Sequence, residues 1–260
     1  MNFNVDQLIT VILVPIFFAI SFVYSSVGFA GGSSYTAMLV LAGIPLSTVP
    51  QISLLLNTVV SVMTFSNYVK AQHLSLRLSL PFMSSIPFAF LSGILVLSQK
   101  TLLIIFILAL FAASAALFVS ASKIKRRRRQ IGEINLGKLK IMAIGIPVGA
   151  FLGLIAGIVG IGGGIWLSPL LILAGLANPK QAAAAASLFI LTNSISGFIG
   201  HSLWKPIDFS LLIPLGIVVL AGGLIGSRFG AFKLDHNKIR MIVAGVVAVA
   251  GIELSIKFLS

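Results

Sequence analysis

The chain has 260 residues, of which 58% are hydrophobic and only 9% charged. Its mean hydropathy of +1.13 excludes a soluble domain, which needs about a quarter of its residues charged to cover its surface. The net charge of +13 indicates basic cytoplasmic loops of a membrane protein rather than nucleic-acid binding, and the absence of cysteine excludes disulfides, thiolate metal sites and cysteine nucleophiles.

The first half of the chain contains five apolar segments. Residues 1–6 lack the basic start and the cleavage site of a secretory signal peptide, so we expect the first segment, 8–27, to be retained in the membrane. A glycine cluster follows, and then a segment of about 12 residues at 33–44. As a helix it would cover about 18 Å of a roughly 30 Å hydrocarbon core. The remaining segments, 48–69, 78–98 and 101–121, are long enough to span.

A basic stretch from Lys123 to Lys140 separates the two halves and contains the run Lys125-Arg126-Arg127-Arg128-Arg129. The positive-inside rule predicts that this loop is cytoplasmic, and contact with anionic lipid head groups is a second possibility. We therefore predict a first transmembrane repeat at 1–122, a basic cytoplasmic linker at 123–138 and a second transmembrane repeat at 139–260.

The second half repeats the pattern of the first, with segments at 139–159, 165–176, 180–201, 209–229 and 238–258. Sliding one half over the other by 132 residues places Gly28 on Gly160 and Gly31 on Gly163. After a four-residue insertion, Asn57 falls on Asn193. The sequence therefore predicts an internal repeat, with a half-length helix after a glycine cluster in each copy.

The distribution of charge predicts how the two repeats are oriented. With the basic linker inside and each short segment returning to the side of entry, only Lys100, Lys205 and Lys257 remain outside. Each half then makes three crossings and one re-entrant hairpin, and both chain termini lie outside. The predicted fold is an all-α polytopic membrane protein of two inverted-topology repeats, each with a glycine-broken re-entrant hairpin and three transmembrane helices.

The glycine clusters are the first candidate binding elements. Broken backbone at membrane depth is tolerated where it lines a cavity enclosed by protein, and the N-terminus of a short helix presents free N–H groups to an anion. The alternative is close helix packing through small residues. The candidate substrate-binding glycines are Gly28, Gly31, Gly32, Gly160, Gly162, Gly163 and Gly164.

Polar side chains near both clusters are the second set of candidates. Amides and hydroxyls can donate hydrogen bonds to an oxyanion without adding charge, although they also serve in ordinary interhelical hydrogen bonds. Asn57 and Asn193 stand out because both halves place an amide at the same point. The candidate side chains are those of Ser33, Ser34, Gln51, Asn57, Ser168, Ser187 and Asn193.

Ionisable groups are scarce in the predicted spans. Of the five acidic residues only Glu253 falls within a segment, near its outer end, which argues against cation transport. His201, at the outer end of its helix, is a possible proton or anion relay, with an interfacial role as the alternative. We expect no metal, no cofactor, no nucleic-acid partner and no enzymatic activity, since groups for acid–base or nucleophilic catalysis are missing.

A glycine-rich apolar motif covers residues 157–171, GIVGIGGGIWLSPLL. It is followed by Ala174-Gly175 and by residues 180–188, KQAAAAASL, and a degenerate first copy lies at 26–32, followed by Asn57. In these motifs the chain resembles the TauE/SafE family of sulfite and organosulfonate exporters. The first copy departs from the usual pattern at Phe29-Ala30 and Ser33-Ser34, which bears on the substrate more than on the fold. Membership implies movement of a sulfur-containing anion, usually outward.

These observations predict a secondary transporter, with export as the expected direction, that binds a small sulfur-containing anion at the midplane between the two glycine breaks. The alternatives are a passive anion channel and a membrane structural or assembly protein without flux. The expected location is the inner cell membrane, with a small anion and membrane lipid as partners and a homo-oligomer possible. Residues alone indicate only a small anion, and the sulfur comes from the resemblance.

Overall fold

The computed structural model describes residues 5–95, 97–127, 138–203 and 209–234, together with isolated residues between 241 and 256. Every element within these ranges is helical. The helices are α1 (Val5–Ser25), α2 (Gly32–Leu41), α3 (Val49–Lys70), α4 (Leu76–Ser79), α5 (Ser85–Ile94), α6 (Gln99–Arg127), α7 (Lys138–Val159), α8 (Gly164–Leu173), α9 (Pro179–Ser202) and α10 (Phe209–Phe232).

Length and composition confirm a polytopic membrane protein. Within the described residues, five helices are long and apolar enough to cross a membrane, namely α3, α6, α7, α9 and α10. Large apolar side chains are exposed on these helices, as at Phe151 (63%) and Ile217 (65%), where lipid rather than water would surround them. The prediction of a last span at 238–258 falls almost wholly outside the described residues, as does most of the basic linker.

The predicted span 78–98 is wrong as a single helix. The chain instead forms the short helix α4, a 3₁₀ turn at Leu80–Ser84, and α5, which ends at Ile94. Pro81 lacks an amide hydrogen and interrupts the helical ladder. Ser84, at the end of the 3₁₀ turn, donates its hydroxyl to the carbonyl of Ile146 on α7 at 2.7 Å and so joins the turn to that helix.

The two short helices have the same local geometry at an interval of 132 residues. Gly31 precedes α2 with φ 106°, and Gly163 precedes α8 with φ 81°, in the left-handed region that only glycine enters without strain. Each helix has ten residues and ends before a glycine with positive φ, Gly43 or Gly175. The predicted pair of glycine breaks, each followed by a half-length helix, is therefore present.

The halves interlock rather than forming separate domains. Helix α1 packs on α10 and α5 packs on α7, while α3 and α9 pack against each other at the centre. Glycines allow the close approach: Gly226 on α10 lies against the Phe22 carbonyl and the Ser25 hydroxyl, and Gly153 on α7 lies against Ser85. The central position of α3 and α9 brings both glycine breaks to one place.

Candidate functional site

The two breaks present free backbone donors. Among the described residues, none accepts a hydrogen bond from the backbone amides of residues 30–33 or 162–165. These amides lead into the N-termini of α2 and α8, where the helix dipole adds positive potential. Both breaks are buried, so these donors are shielded from solvent and are not satisfied by any group in the described part of the chain.

The first break is joined to the second by α3. The Ser53 hydroxyl donates to the Gly160 carbonyl at 2.8 Å and also lies 3.2 Å from the Gly32 carbonyl oxygen. Asn57, one turn further along α3, donates from Nδ2 to the same Gly160 carbonyl at 3.3 Å. A Cβ at Gly32 would collide with the Asn57 amide. Glycine is therefore required at position 32 for this side chain to reach both breaks.

Helix α9 supplies the polar groups on the other side. Asn193 is fully buried, and neither its Nδ2 nor its Oδ1 has a hydrogen-bond partner among the described residues; the Ser194 hydroxyl is likewise buried and unpartnered. A Cβ built on Gly162 would lie 2.8 Å from the Ser194 hydroxyl and 3.4 Å from Asn57 Nδ2. Amide and hydroxyl groups from α3 and α9 thus converge on the second break.

Hydroxyl groups also cluster behind the first break. The Tyr24 hydroxyl lies 2.6 Å from Ser34 Oγ, and Ser33 Oγ donates to Tyr24 at 3.2 Å. The second break has Ile165 and Trp166 where the first has Ser33 and Ser34. The two breaks therefore share a backbone shape but differ in polarity.

The predicted site residues fall into two groups. Glycines 31, 32, 160, 162, 163 and 164, with Asn57, Ser33 and Ser34, belong to the breaks or contact them. Of the others, Gly28 packs on Ala183, Gln51 Nε2 donates to Ser202 Oγ at 3.1 Å and Ser187 Oγ donates to the Ala184 carbonyl of its own helix. Ser168 is buried within α8, and Asn193 is buried on α9 next to Ser194 in the sequence.

Ser53, Ser194 and Thr36 were not among the predicted residues. Thr36 donates to Ser53 at 3.0 Å and thereby orients the hydroxyl that joins the breaks. Ser53 lies one helical turn before Asn57, so the four-residue spacing of a helix face could have identified it. Ser194 directly follows Asn193, and no comparable spacing signals its role.

A cavity of about 350 Å³ opens at the Val49 end of α3. Its lining includes Pro50 and Ile158, which flank the Gly160 break, and His201. The His201 ring Nε2 donates to the Gly157 carbonyl at 3.0 Å. His201 therefore lines this cavity and contacts Gly157, three residues before Gly160, and its predicted role as a relay stays a prediction.

The opposite end of α3 is held by hydrogen bonds between helices. Tyr68 donates to the Ser26 carbonyl at 2.9 Å, and Asn67 donates to Ser227 Oγ at 2.8 Å. Lys180 Nζ donates to the Ala231 carbonyl at 3.1 Å. The cavity beside His201 thus lies at one end of α3, and these interhelical hydrogen bonds lie at the other.

Comparison with known proteins agrees with this architecture. The chain matches the family described as sulfite exporter TauE/SafE over residues 13–254. The chain belongs to the TauE/SafE family. Membership makes it a membrane transporter rather than an enzyme.

Two bacterial relatives of the TauE/SafE chain carry matching names. The probable membrane transporter protein y4hK of Sinorhizobium fredii is 29% identical over 245 residues, covering 92% of this chain and 95% of that protein. The probable membrane transporter protein YunE of Bacillus subtilis is 28% identical over 112 residues, covering 43% and 41%. No solved structure matches the chain.

Proposed function

We propose that the protein is a secondary transporter that binds a small oxyanion between its two glycine breaks. The observation that carries this proposal is that free backbone amides of both breaks lie beside buried, unpartnered polar groups, the Ser194 hydroxyl next to Gly162 and Asn57 Oδ1 next to Gly32. Burying a polar group without a hydrogen-bond partner is unfavourable in free energy, and a ligand that bonds to such groups removes this penalty when it binds.

The sign of the ligand's charge follows from the surrounding groups. Backbone amides at two helix N-termini favour an anion. None of the five acidic residues belongs to a break, to α3 or to α9, so a carboxylate ligand for a cation is missing from these elements. The family description names sulfite, and we extend this to a small sulfur-containing anion, sulfite or an organosulfonate, moved outward.

Alternating access would use the two ends of α3. In the proposed arrangement the halves are inverted repeats, each with a re-entrant hairpin, in the inner cell membrane. The basic loop is cytoplasmic and the chain termini are outside, so the cavity beside His201 faces out and the Tyr68–Ser26 end is the closed inner gate. Rocking of the α1–α10 and α5–α7 pairs about α3 and α9 would exchange the two states.

The experiment is sulfite flux into proteoliposomes with matched glycine variants. Gly31 and Gly43 both have positive φ, so alanine strains the backbone at either position. A Cβ at Gly31 would also lie 2.8 Å from the Tyr35 ring, whereas a Cβ at Gly43 would meet nothing within 4 Å. We expect the sulfite flux of Gly31→Ala to be at least about ten-fold lower than that of the wild type, and the flux of Gly43→Ala to stay close to the wild-type value.

The same assay separates the rival functions. Normal flux in Gly31→Ala would contradict a site at the breaks. Continuous single-channel current without saturation would indicate a passive anion channel, and folded protein that moves no anion would indicate a structural or assembly role without flux.

A further inference from the structure

The orientation of the Asn57 amide is fixed by its neighbour. The group that faces Gly160 meets a carbonyl oxygen, which can only accept, so the end of the amide that approaches it at 3.3 Å is Nδ2. The other end is therefore Oδ1, which can only accept. It is fully buried and has no hydrogen-bond partner in the described part of the chain.

This acceptor is surrounded by donors. Both ends of the Asn57 amide face the first break: Oδ1 lies 2.9 Å from the point that a Cβ of Gly32 would occupy, and Nδ2 lies nearer still. Ser194 adds a hydroxyl, and the Asn193 amide can rotate to present either end because neither of its polar atoms is bonded. Without a ligand, these protein donors are available to Asn57 Oδ1. Once an anion's oxygens engage them, Asn57 Oδ1 is left as a buried acceptor that a donor on the ligand would satisfy.

We propose that the site selects anions that carry a hydrogen-bond donor as well as anionic oxygens. The class comprises singly protonated oxyanions such as hydrogensulfite and sulfonates that bear a hydroxyl or ammonium group. A fully deprotonated oxyanion would bring a second acceptor against Asn57 Oδ1, and the two oxygens would repel. This inference rests on the proposed function, because it assumes that an anion binds at the breaks.

The decisive comparison uses two sulfonates of equal charge and equal heavy-atom number. 2-Hydroxyethanesulfonate carries a hydroxyl where propane-1-sulfonate carries a methyl group, and both are monoanions across the working pH range. We expect the wild-type protein in detergent to bind the hydroxyl compound about ten-fold more tightly, the effect of one hydrogen bond to a buried acceptor. Calorimetric titration or competition with sulfite flux measures this ratio.

The Asn57→Ala variant assigns the preference to this acceptor, because it should reduce the ratio to about one. Asn67→Ala is its matched control: Asn67 lies on the same helix but bonds to Ser227 at the far end, so the ratio should stay near the wild-type value. If Asn57→Ala does not fold, affinity for total sulfite is measured against pH in the wild type. It should fall as hydrogensulfite loses its proton.

The outcomes of these measurements distinguish failure of the donor requirement from failure of the proposed transport function. If propane-1-sulfonate binds as tightly as its hydroxyl analogue, or if sulfite affinity is constant or rises with pH, the donor requirement is overturned while anion binding stands. If the folded wild-type protein neither binds nor moves any of these anions, the proposed function fails and the inference with it.

Discussion

The two halves of the chain carry different side chains at one pair of equivalent positions. When Asn57 is aligned with Asn193, Ser53 aligns with Phe189. The Ser53 hydroxyl reaches the carbonyls of both breaks, whereas the Phe189 ring fills the space beside Gly163, 2.6 Å from the point a Cβ there would occupy. A ligand between the breaks would thus meet a hydroxyl on one side and an aromatic ring on the other.

Replacing Ser53 tests whether the link between the breaks matters for transport. Ser53→Ala removes the hydrogen bond to Gly160 and leaves Thr36 without its acceptor, so we expect a loss of about 1–2 kcal/mol in unfolding free energy and a clear fall in flux. Thermal denaturation in detergent and proteoliposome flux measure the two effects.

Ser66 provides the control for that substitution, because within the described ranges its hydroxyl bonds only to Val62 on its own helix. Ser66→Ala should therefore leave both stability and flux near wild type. Equal behaviour of the two alanine variants would contradict a role for Ser53 in joining the breaks.

Some individual residues of the candidate site could be predicted from the sequence. Asn57 and Asn193 could be found because the repeat places one on the other, and the glycines because only glycine enters the left-handed region without strain. The roles of Ser53 and Ser194 depend on contacts between halves that are far apart in sequence, which no local pattern encodes. Ser187 was a plausible candidate by position, but its hydroxyl turns back to the Ala184 carbonyl of its own helix.

At the scale of elements, the close pair α1–α10 depends on residues without side chains. A Cβ at Gly226 would collide with the Phe22 carbonyl and the Ser25 hydroxyl on α1, whereas Gly216, on the same helix, has nothing within 4 Å of its Cβ position. The sequence predicted most helix boundaries well, from the lengths of the apolar segments and the positions of the glycine clusters. It did not predict that the segment 78–98 is divided, because an apolar run containing proline is compatible with either a kinked or a broken helix.

The same substitution at the two glycines of α10 tests the packing. Gly226→Ala should lower unfolding free energy by about 1–3 kcal/mol through overpacking, since the atoms in the way are partly backbone. Gly216→Ala should leave it unchanged or slightly higher, because alanine favours the helix. Melting temperatures of the two purified variants decide the question, and a Gly226→Ala protein as stable as wild type would mean that α1 and α10 are not closely packed.

For the whole molecule, the difference between the two ends of α3 is the main structural clue to mechanism. One end has the cavity beside His201, and the other is tied by the Tyr68–Ser26 and Asn67–Ser227 hydrogen bonds. Charge distribution alone predicts which end faces the cytoplasm, because basic residues concentrate at the tied end. Sequence could not predict which end is open, since that depends on packing across the entire bundle.

The cysteine-free sequence makes this asymmetry directly measurable. Leu97→Cys places a thiol in the cavity lining, and Ser26→Cys places one at the tied end, where Ser26 is almost fully buried. A membrane-impermeant thiol reagent should label Leu97→Cys from outside and spare Ser26→Cys from either side. Sulfite should slow the first reaction as the cavity closes. Labelling of Leu97→Cys only from the cytoplasmic side would reverse the proposed orientation.

The pairing of α1 with α10 also shapes how the protein is made. Helix α1 leaves the ribosome well before its main packing partner, α10, which ends about 200 residues later in the chain. Until α10 is inserted, the face of α1 that carries Ser21 and Ser25 has no glycine surface to cover it. Assembly of the bundle must therefore wait for most of the second half, and a chain truncated before α10 would leave its first helix unpacked in the lipid.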